Sequence, residues 1–320
     1  MDNKNEQVVF HVRSSQRIIS TGYRLYMGNF RKLMRRTWIF GIIYAIVIGF
    51  LMKGYLQIVP QYLQMANIYL QGNVPTEAIA TLGTSTVIIQ VMIILFYFTI
   101  ILLYSPVFSA MNEHQETSVI NPPEKWYGKP DWHMTLRMLK LGLWFFALYV
   151  VIAIIIALFV IGLSIMAKPN IFLLTCITLL LGVLALLFML PLVYTGYKYM
   201  LTPKTHFLKV LSCTYSTGIR HWGSIFLVCL IVGIVTTLLS VVIMLPYYIL
   251  TFAITMAQIG MLGGDPMGMP DYMNWMSVIV FIISGFILAY LSLSTLFPFY
   301  YLYGSIEQEE RERKNLKIEN

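Results

Sequence analysis

RKLMRRTWIFGIIYAIVIGF, residues Arg31 to Phe50, passes from a basic cluster through one Trp into an unbroken apolar run. A basic helix end, an aromatic residue at headgroup level and a run of bilayer-spanning length is the order met at a membrane boundary. Weaker versions stand at Arg137–Phe146 (RMLKLGLWFF) and Arg220–Val228 (RHWGSIFLV). The chain reads as this device used three times, each followed by a return helix.

The composition agrees. Of the 320 residues, 58% are hydrophobic and 11% charged, against about 25% charged in soluble domains. The mean hydropathy is +0.73. Such a chain has too little polar surface to cover itself, so lipid must solvate much of it. The net charge of +8 does not point to nucleic acid, because the basic residues flank apolar runs, where they suit an anionic leaflet.

Spanning the ~30 Å hydrocarbon layer takes about 20 helical residues. Six stretches qualify: Thr37–Leu56, Thr86–Ser105, Leu141–Ile165, Ile171–Tyr194, Gly223–Leu245 and Met276–Phe297. The fifth has the option of running on past Pro246. Lys53 is the one charge within them, near an end, where it can snorkel to water. Twenty of the 22 Lys and Arg fall on one side of the resulting topology, leaving Lys53 and Lys168 on the other. The positive-inside rule then places both termini in the cytoplasm. No apolar core with a small-residue cleavage site precedes Thr37, so the first span is expected to remain as an uncleaved anchor.

Three regions are expected. Residues 1–36 form a cytoplasmic arm, 37–303 the six-helix transmembrane domain and 304–320 a charged cytoplasmic tail. Within the arm, Ser15–Arg36 reads as one amphipathic helix. Ile19, Tyr23, Tyr26, Phe30 and Leu33 share a face, with Arg17, Arg24, Arg31 and Arg35 opposite. That pattern suits a helix lying in the membrane interface, and equally one packed on the protein's own surface. In the tail, Glu309–Arg313 and Glu310–Lys314 are i,i+4 pairs that favour a solvated helix.

Of the outer connections, Gly54–Ser85 reads as a long uncharged loop with a short interfacial helix at Gln61–Leu70. Gln258–Trp275, rich in Gly, Met and Pro, reads as irregular. The pairs of spans resemble one another. Each begins with a basic lead and an interfacial Trp (Trp38, Trp144, Trp222). Each closes on a Pro with aromatics: Pro106 with Phe108, Pro191 with Tyr194 and Tyr197, Pro298 with Tyr300, Tyr301 and Tyr303. The fold class is therefore all-α: a polytopic membrane protein of six transmembrane helices, arranged as three repeated hairpins with cytoplasmic amphipathic lead helices.

The segments NFRKLMRRTW (Asn29–Trp38), STGIRHWGSIF (Ser216–Phe226) and FPFYYLYGSIEQ (Phe297–Gln308) carry a resemblance. The chain resembles uncharacterised bacterial six-span inner-membrane proteins akin to the membrane domain of some glycerophosphodiester phosphodiesterases. The resemblance implies a bacterial cytoplasmic membrane location. Within these residues nothing corresponds to the soluble phosphodiesterase domain, so no catalysis carries over.

Chemistry-bearing constellations are few. The five histidines, His11, His114, His133, His206 and His221, all lie in flanks, without the HxxxH pairs that gather imidazoles on a metal. Gly263-Gly264-Asp265-Pro266 reads as a turn. Cys176 and Cys229 lie in apolar runs, Cys213 in a flank, and no CxxC occurs. Met267 and Met269 are a weak option for a soft ion such as Cu(I), against the reading of a flexible apolar loop. Gln90, Thr236, Thr237 and Ser240 are the polar residues a solute pathway would use, although in-membrane hydroxyls more commonly bond their own helix. No cofactor, metal centre or nucleophile–base pair is expected.

These readings converge on a non-enzymatic integral membrane protein that engages lipid or a membrane protein partner. Anionic headgroups at the cytoplasmic leaflet would meet Arg17, Arg24, Arg31, Arg35, Trp38, Trp144, Trp222 and Tyr301. The alternative is a permease or exporter of a neutral, amphipathic or lipid-like solute.

Overall fold

A computed structural model describes residues 9–72, 76–123, 131–167, 171–202, 207–262, 264, 270 and 272–319. Among them the regular structure is helical throughout: α1 (Ser15–Gly28), α2 (Phe30–Leu70), α3 (Thr76–Thr117), α4 (Trp132–Ala167), α5 (Ile171–Met189), α6 (Pro191–Leu201), α7 (Phe207–Arg220), α8 (Trp222–Ile243), α9 (Leu245–Leu262) and α10 (Tyr272–Glu319). Six helices are long and apolar enough to cross a membrane: α2, α3, α4, the α5–α6 stretch, α8 and α10.

The expected single lead helix is two helices. Asn29 ends α1: its backbone N–H donates to the Leu25 and Tyr26 carbonyls, and its side-chain amide donates to Leu25 O at 3.1 Å. An Asn side chain competes with the helix ladder in this way. The arginines of the expected stripe are thus shared between α1 and the first turns of α2.

Gly54–Ser85 is not a loop around a short helix. α2 runs through Pro60 to Leu70, and α3 starts at Thr76. Hydropathy falls off here, but the helices stay paired. Gln61 Nε2 donates to Ser85 Oγ at 3.0 Å, and Gly54 faces Ile89. With 41 residues, α2 is about 62 Å long at 1.5 Å per residue, twice the hydrocarbon layer.

Proline breaks two other runs. Pro191 stands at the first position of α6, where its missing N–H costs nothing. Past Met244, the fifth apolar run continues as a separate helix, α9, with Pro246 in its first turn. α9 packs on α2 and α10 through Leu250, Leu56 and Phe281. The irregular segment expected at Gln258–Trp275 is shorter than read, since α9 reaches Leu262 and α10 begins at Tyr272. Pro106 and Pro298 lie inside uninterrupted helices.

The packing is uneven along the bundle. One main core gathers at the basic end, from Leu33, Met111, Tyr194, Met200, Leu293, Phe297, Tyr300 and Ile306. Here α1 lies along α10, and α6 is almost wholly buried. Glycine lets backbones meet, as small residues do between membrane helices. Gly22 rests on Pro298, Gly218 on Pro191, and Gly285 on Ala45. Away from that end α4 and α5 stand apart: nothing in the most apolar 18-residue window of either is buried. α2 and α3 pair closely and α4 and α5 lightly, while α8 packs mainly on α10 rather than on the helix that follows it.

Candidate functional site

The apolar stripe of α1 faces protein. Ile18, Gly22 and Tyr26 are buried. The Tyr26 hydroxyl donates to Tyr290 O at 2.8 Å, and its ring lies 5.3 Å from that of Phe297. Docking this face on α10 turns Arg17 and Arg24 outward, and Arg31 and Arg35, in the first turns of α2, are exposed as well. Among the described residues, the guanidinium groups of Arg17, Arg31 and Arg35 take no carboxylate partner.

Three other cations at this end have carboxylate partners. Arg36 pairs with Glu113 and also donates to Asn121 O. Lys198 pairs with Glu307 at 2.9 Å, and the Tyr194 hydroxyl donates to the same carboxylate oxygen. Arg220 pairs with Glu310 at 3.0 Å, and His221 sits between Glu309 and Glu310, 3.1 Å from each. The Arg220 and His221 pairs tie the charged end of α10 to the α7–α8 corner, and the Lys198 pair ties it to α6.

Glu310 lies in that charged part of α10, past the apolar run. Burial pushes its carboxyl up, but hydrogen bonds from His221 and Arg220, together with their charge, outweigh this and hold it below the ordinary carboxylate value. A carboxyl with a lowered folded-state pKa stabilises fully above its unfolded pKa. That contribution is lost as pH falls through the lowered value. Thermal stability is therefore expected to drop on acidification from pH 6 to pH 3, and Glu310→Gln to flatten part of that slope. A Glu310→Gln profile parallel to the wild type would contradict this role.

Arg137 counts in the sequence only as a topology marker, yet it is buried. Its guanidinium donates to the carbonyls of Tyr199 and, at 2.9 Å, Thr202, and lies 4.5 Å over the Tyr199 ring. Those carbonyls belong to the C-terminal end of α6, where unsatisfied acceptors and the helix dipole favour a cation. Asp131 fixes the start of α4, its Oδ1 accepting from the N–H groups of His133 and Met134 at 3.1 and 3.3 Å. The C-terminal end of α6 supplies these acceptors for Arg137.

Beside this corner, α3, α4, α6 and α10 enclose a cleft of about 290 Å³. Tyr97, Tyr104, Phe108, Phe145, Val193 and Gly196 are among its walls, which present almost no polar surface. The Tyr197 hydroxyl donates to Leu296 O at 3.0 Å. The Tyr97 hydroxyl lies directly over Gly142, where any Cβ would overlap it.

The structure separates the residues of the expected lipid interface. Trp222 is at the surface, its Nε1 donating to Leu187 O at 3.1 Å and its ring stacked on Phe226. Trp38 and Trp144 are half-buried. Tyr301 is not at the surface: it is 1% exposed, with Arg13 5.0 Å over its ring. Tyrosine serves headgroup level and core equally well, and α10 is apolar on every side at this point. Gln90 and Thr237 are exposed, and Thr236 and Ser240 are half-buried. Gln90 is on α3 and the other three on α8, two helices without a substantial shared interface, so these polar groups are not gathered.

His114 is buried and hydrogen-bonded to the Tyr300 hydroxyl at 3.0 Å. Met267, Met269 and Asp265 lie outside the described residues, within which no group of three or more His, Cys, Asp or Glu gathers. Compared with protein-family models, curated proteins and solved structures, the chain matches none. Fold and site define the class, a multi-pass helical membrane protein.

Proposed function

We propose that this is a non-enzymatic protein of the bacterial cytoplasmic membrane, with both termini at the cytoplasmic face, whose basic end engages anionic lipid headgroups. One observation carries the reading: α1 spends its apolar face on α10 and leaves Arg17 outward, the first turns of α2 present Arg31 and Arg35, and among the described residues none of the three takes a carboxylate partner. Arg36, Lys198 and Arg220 are already neutralised. An outward set of unneutralised guanidinium groups at the headgroup boundary attracts phosphate, which the planar fork binds bidentately.

Each basic residue near an anionic surface contributes about 1 kcal/mol, less where salt screens it. Replacing Arg17, Arg31 and Arg35 together by Gln is expected to lower the preference for phosphatidylglycerol over phosphatidylcholine about tenfold, or about 1.4 kcal/mol. Native mass spectrometry of the protein from mixed-lipid nanodiscs measures this as the ratio of co-retained lipids. An unchanged ratio would sink the proposal.

A further inference from the structure

We propose that the cleft between α3, α4, α6 and α10 holds a single acyl chain of a membrane lipid. The inference rests on the lipid-engaging reading above and adds a defined site to it. Its volume, about 290 Å³, is roughly twice that of a ~150 Å³ apolar cavity that stays dry and takes up benzene. Water needs polar partners to remain in such a space, and the Tyr197 hydroxyl is committed to α10 instead.

Hydrocarbon is within reach. The two helices that form the outer walls each keep exposed apolar side chains, Ile94 and Phe98 of α3 and Leu143 and Phe146 of α4. The lipid around a membrane-embedded helix pair therefore borders the cleft. Its depth selects the leaflet, because Leu141 opens the apolar run of α4 and Phe108 lies just past that of α3. Both mark the basic end, so the chain comes from the leaflet whose headgroups face the arginines. Burying apolar surface of a chain against fixed aromatic walls gains dispersion contacts that fluid lipid does not supply.

The test fills the cleft from α6. Val193→Trp and Gly196→Leu each place side-chain volume in it; at Gly196 the first added carbon meets only Leu141 and Phe145, at 3.6 and 3.8 Å. Native mass spectrometry after extensive detergent washing is expected to show one retained phospholipid on the wild type. At least a tenfold loss is expected in whichever filler variant keeps its helical circular dichroism and elutes as a single species. Phe145→Ala, which widens the cleft, keeps the lipid and is expected to admit a methyl-branched chain that the wild type excludes. A wild type that washes free of lipid overturns the proposal, as does a folded filler variant that retains it or a Phe145→Ala variant with wild-type chain selectivity. The triple Gln variant of Arg17, Arg31 and Arg35 separates the two readings. If the headgroup reading alone fails, its phosphatidylglycerol preference is unchanged while the washed-in lipid still depends on the cleft. If the cleft reading alone fails, the filler variants keep the lipid while the preference still falls.

Discussion

Gly22→Val is expected to destabilise the protein by about 3 kcal/mol, the upper part of the range for overpacked contacts, and to release α1 from α10. A Cβ at Gly22 would stand 2.5 Å from Pro298 N and 2.7 Å from its Cα. These are backbone atoms inside a 48-residue helix, so no rotamer change relieves the overlap. The helices must separate, which costs the Tyr26–Tyr290 hydrogen bond and the packing of Tyr26 on Phe297. Gly28 supplies the control: nothing lies within 4 Å of a Cβ there, and Gly28→Ala is expected to be neutral or stabilising by about 0.5 kcal/mol. Thermal unfolding in detergent and limited proteolysis after Arg17 and Arg24 report the two effects. A Gly22→Val protein with wild-type melting and protease resistance would refute the docking of α1.

A loss of similar size, about 3 kcal/mol, is expected for Arg137→Met, which keeps much of the volume but removes every donor. The carbonyls of Tyr199 and Thr202 would lose their partners, and each buried acceptor left unsatisfied costs about 1–3 kcal/mol. Arg137→Lys retains the charge but not the fork that reaches both carbonyls, so about half the loss is expected to remain. The ordering Arg, Lys, Met in thermal stability distinguishes a helix-capping role from simple packing, under which Met would rank above Lys.

The membrane class was legible because it depends on local quantities. Apolar run length, the Trp38 boundary and the lopsided Lys and Arg count each need only neighbouring residues. The covered face of α1 is Ile18, Gly22 and Tyr26, with Ile19 and Tyr23 half-buried and Phe30 exposed; the periodicity alone does not give that face, since its cover, Pro298, is far away in the chain. Hydropathy alone suggests a loop over Gly54–Ser85, because it reports transfer into lipid. Helix formation there depends instead on backbone hydrogen bonding and on pairing between α2 and α3. Arg137 looked like any flanking cation because its acceptors come from the end of α6. Tyr301 carried a usable signal: Phe297, Tyr300, Tyr301, Leu302 and Tyr303 cover every side of α10, and a helix apolar all round is a buried one. The cleft needs four helices and leaves no trace in any one of them.

The lightly held α4–α5 pair has a consequence for how the protein meets membranes of different thickness. The apolar part of α4, residues 141–165, is about 37 Å long at 1.5 Å per residue, against a hydrocarbon layer of ~30 Å. Matching the two takes an inclination of about 35°, near the steep end of what membrane helices adopt. Protein contacts fix the slope of α2 and α10, whereas around α4 lipid is exchanged for lipid as it leans. Bilayer thickness therefore sets the angle of this one pair while the rest of the bundle keeps its own.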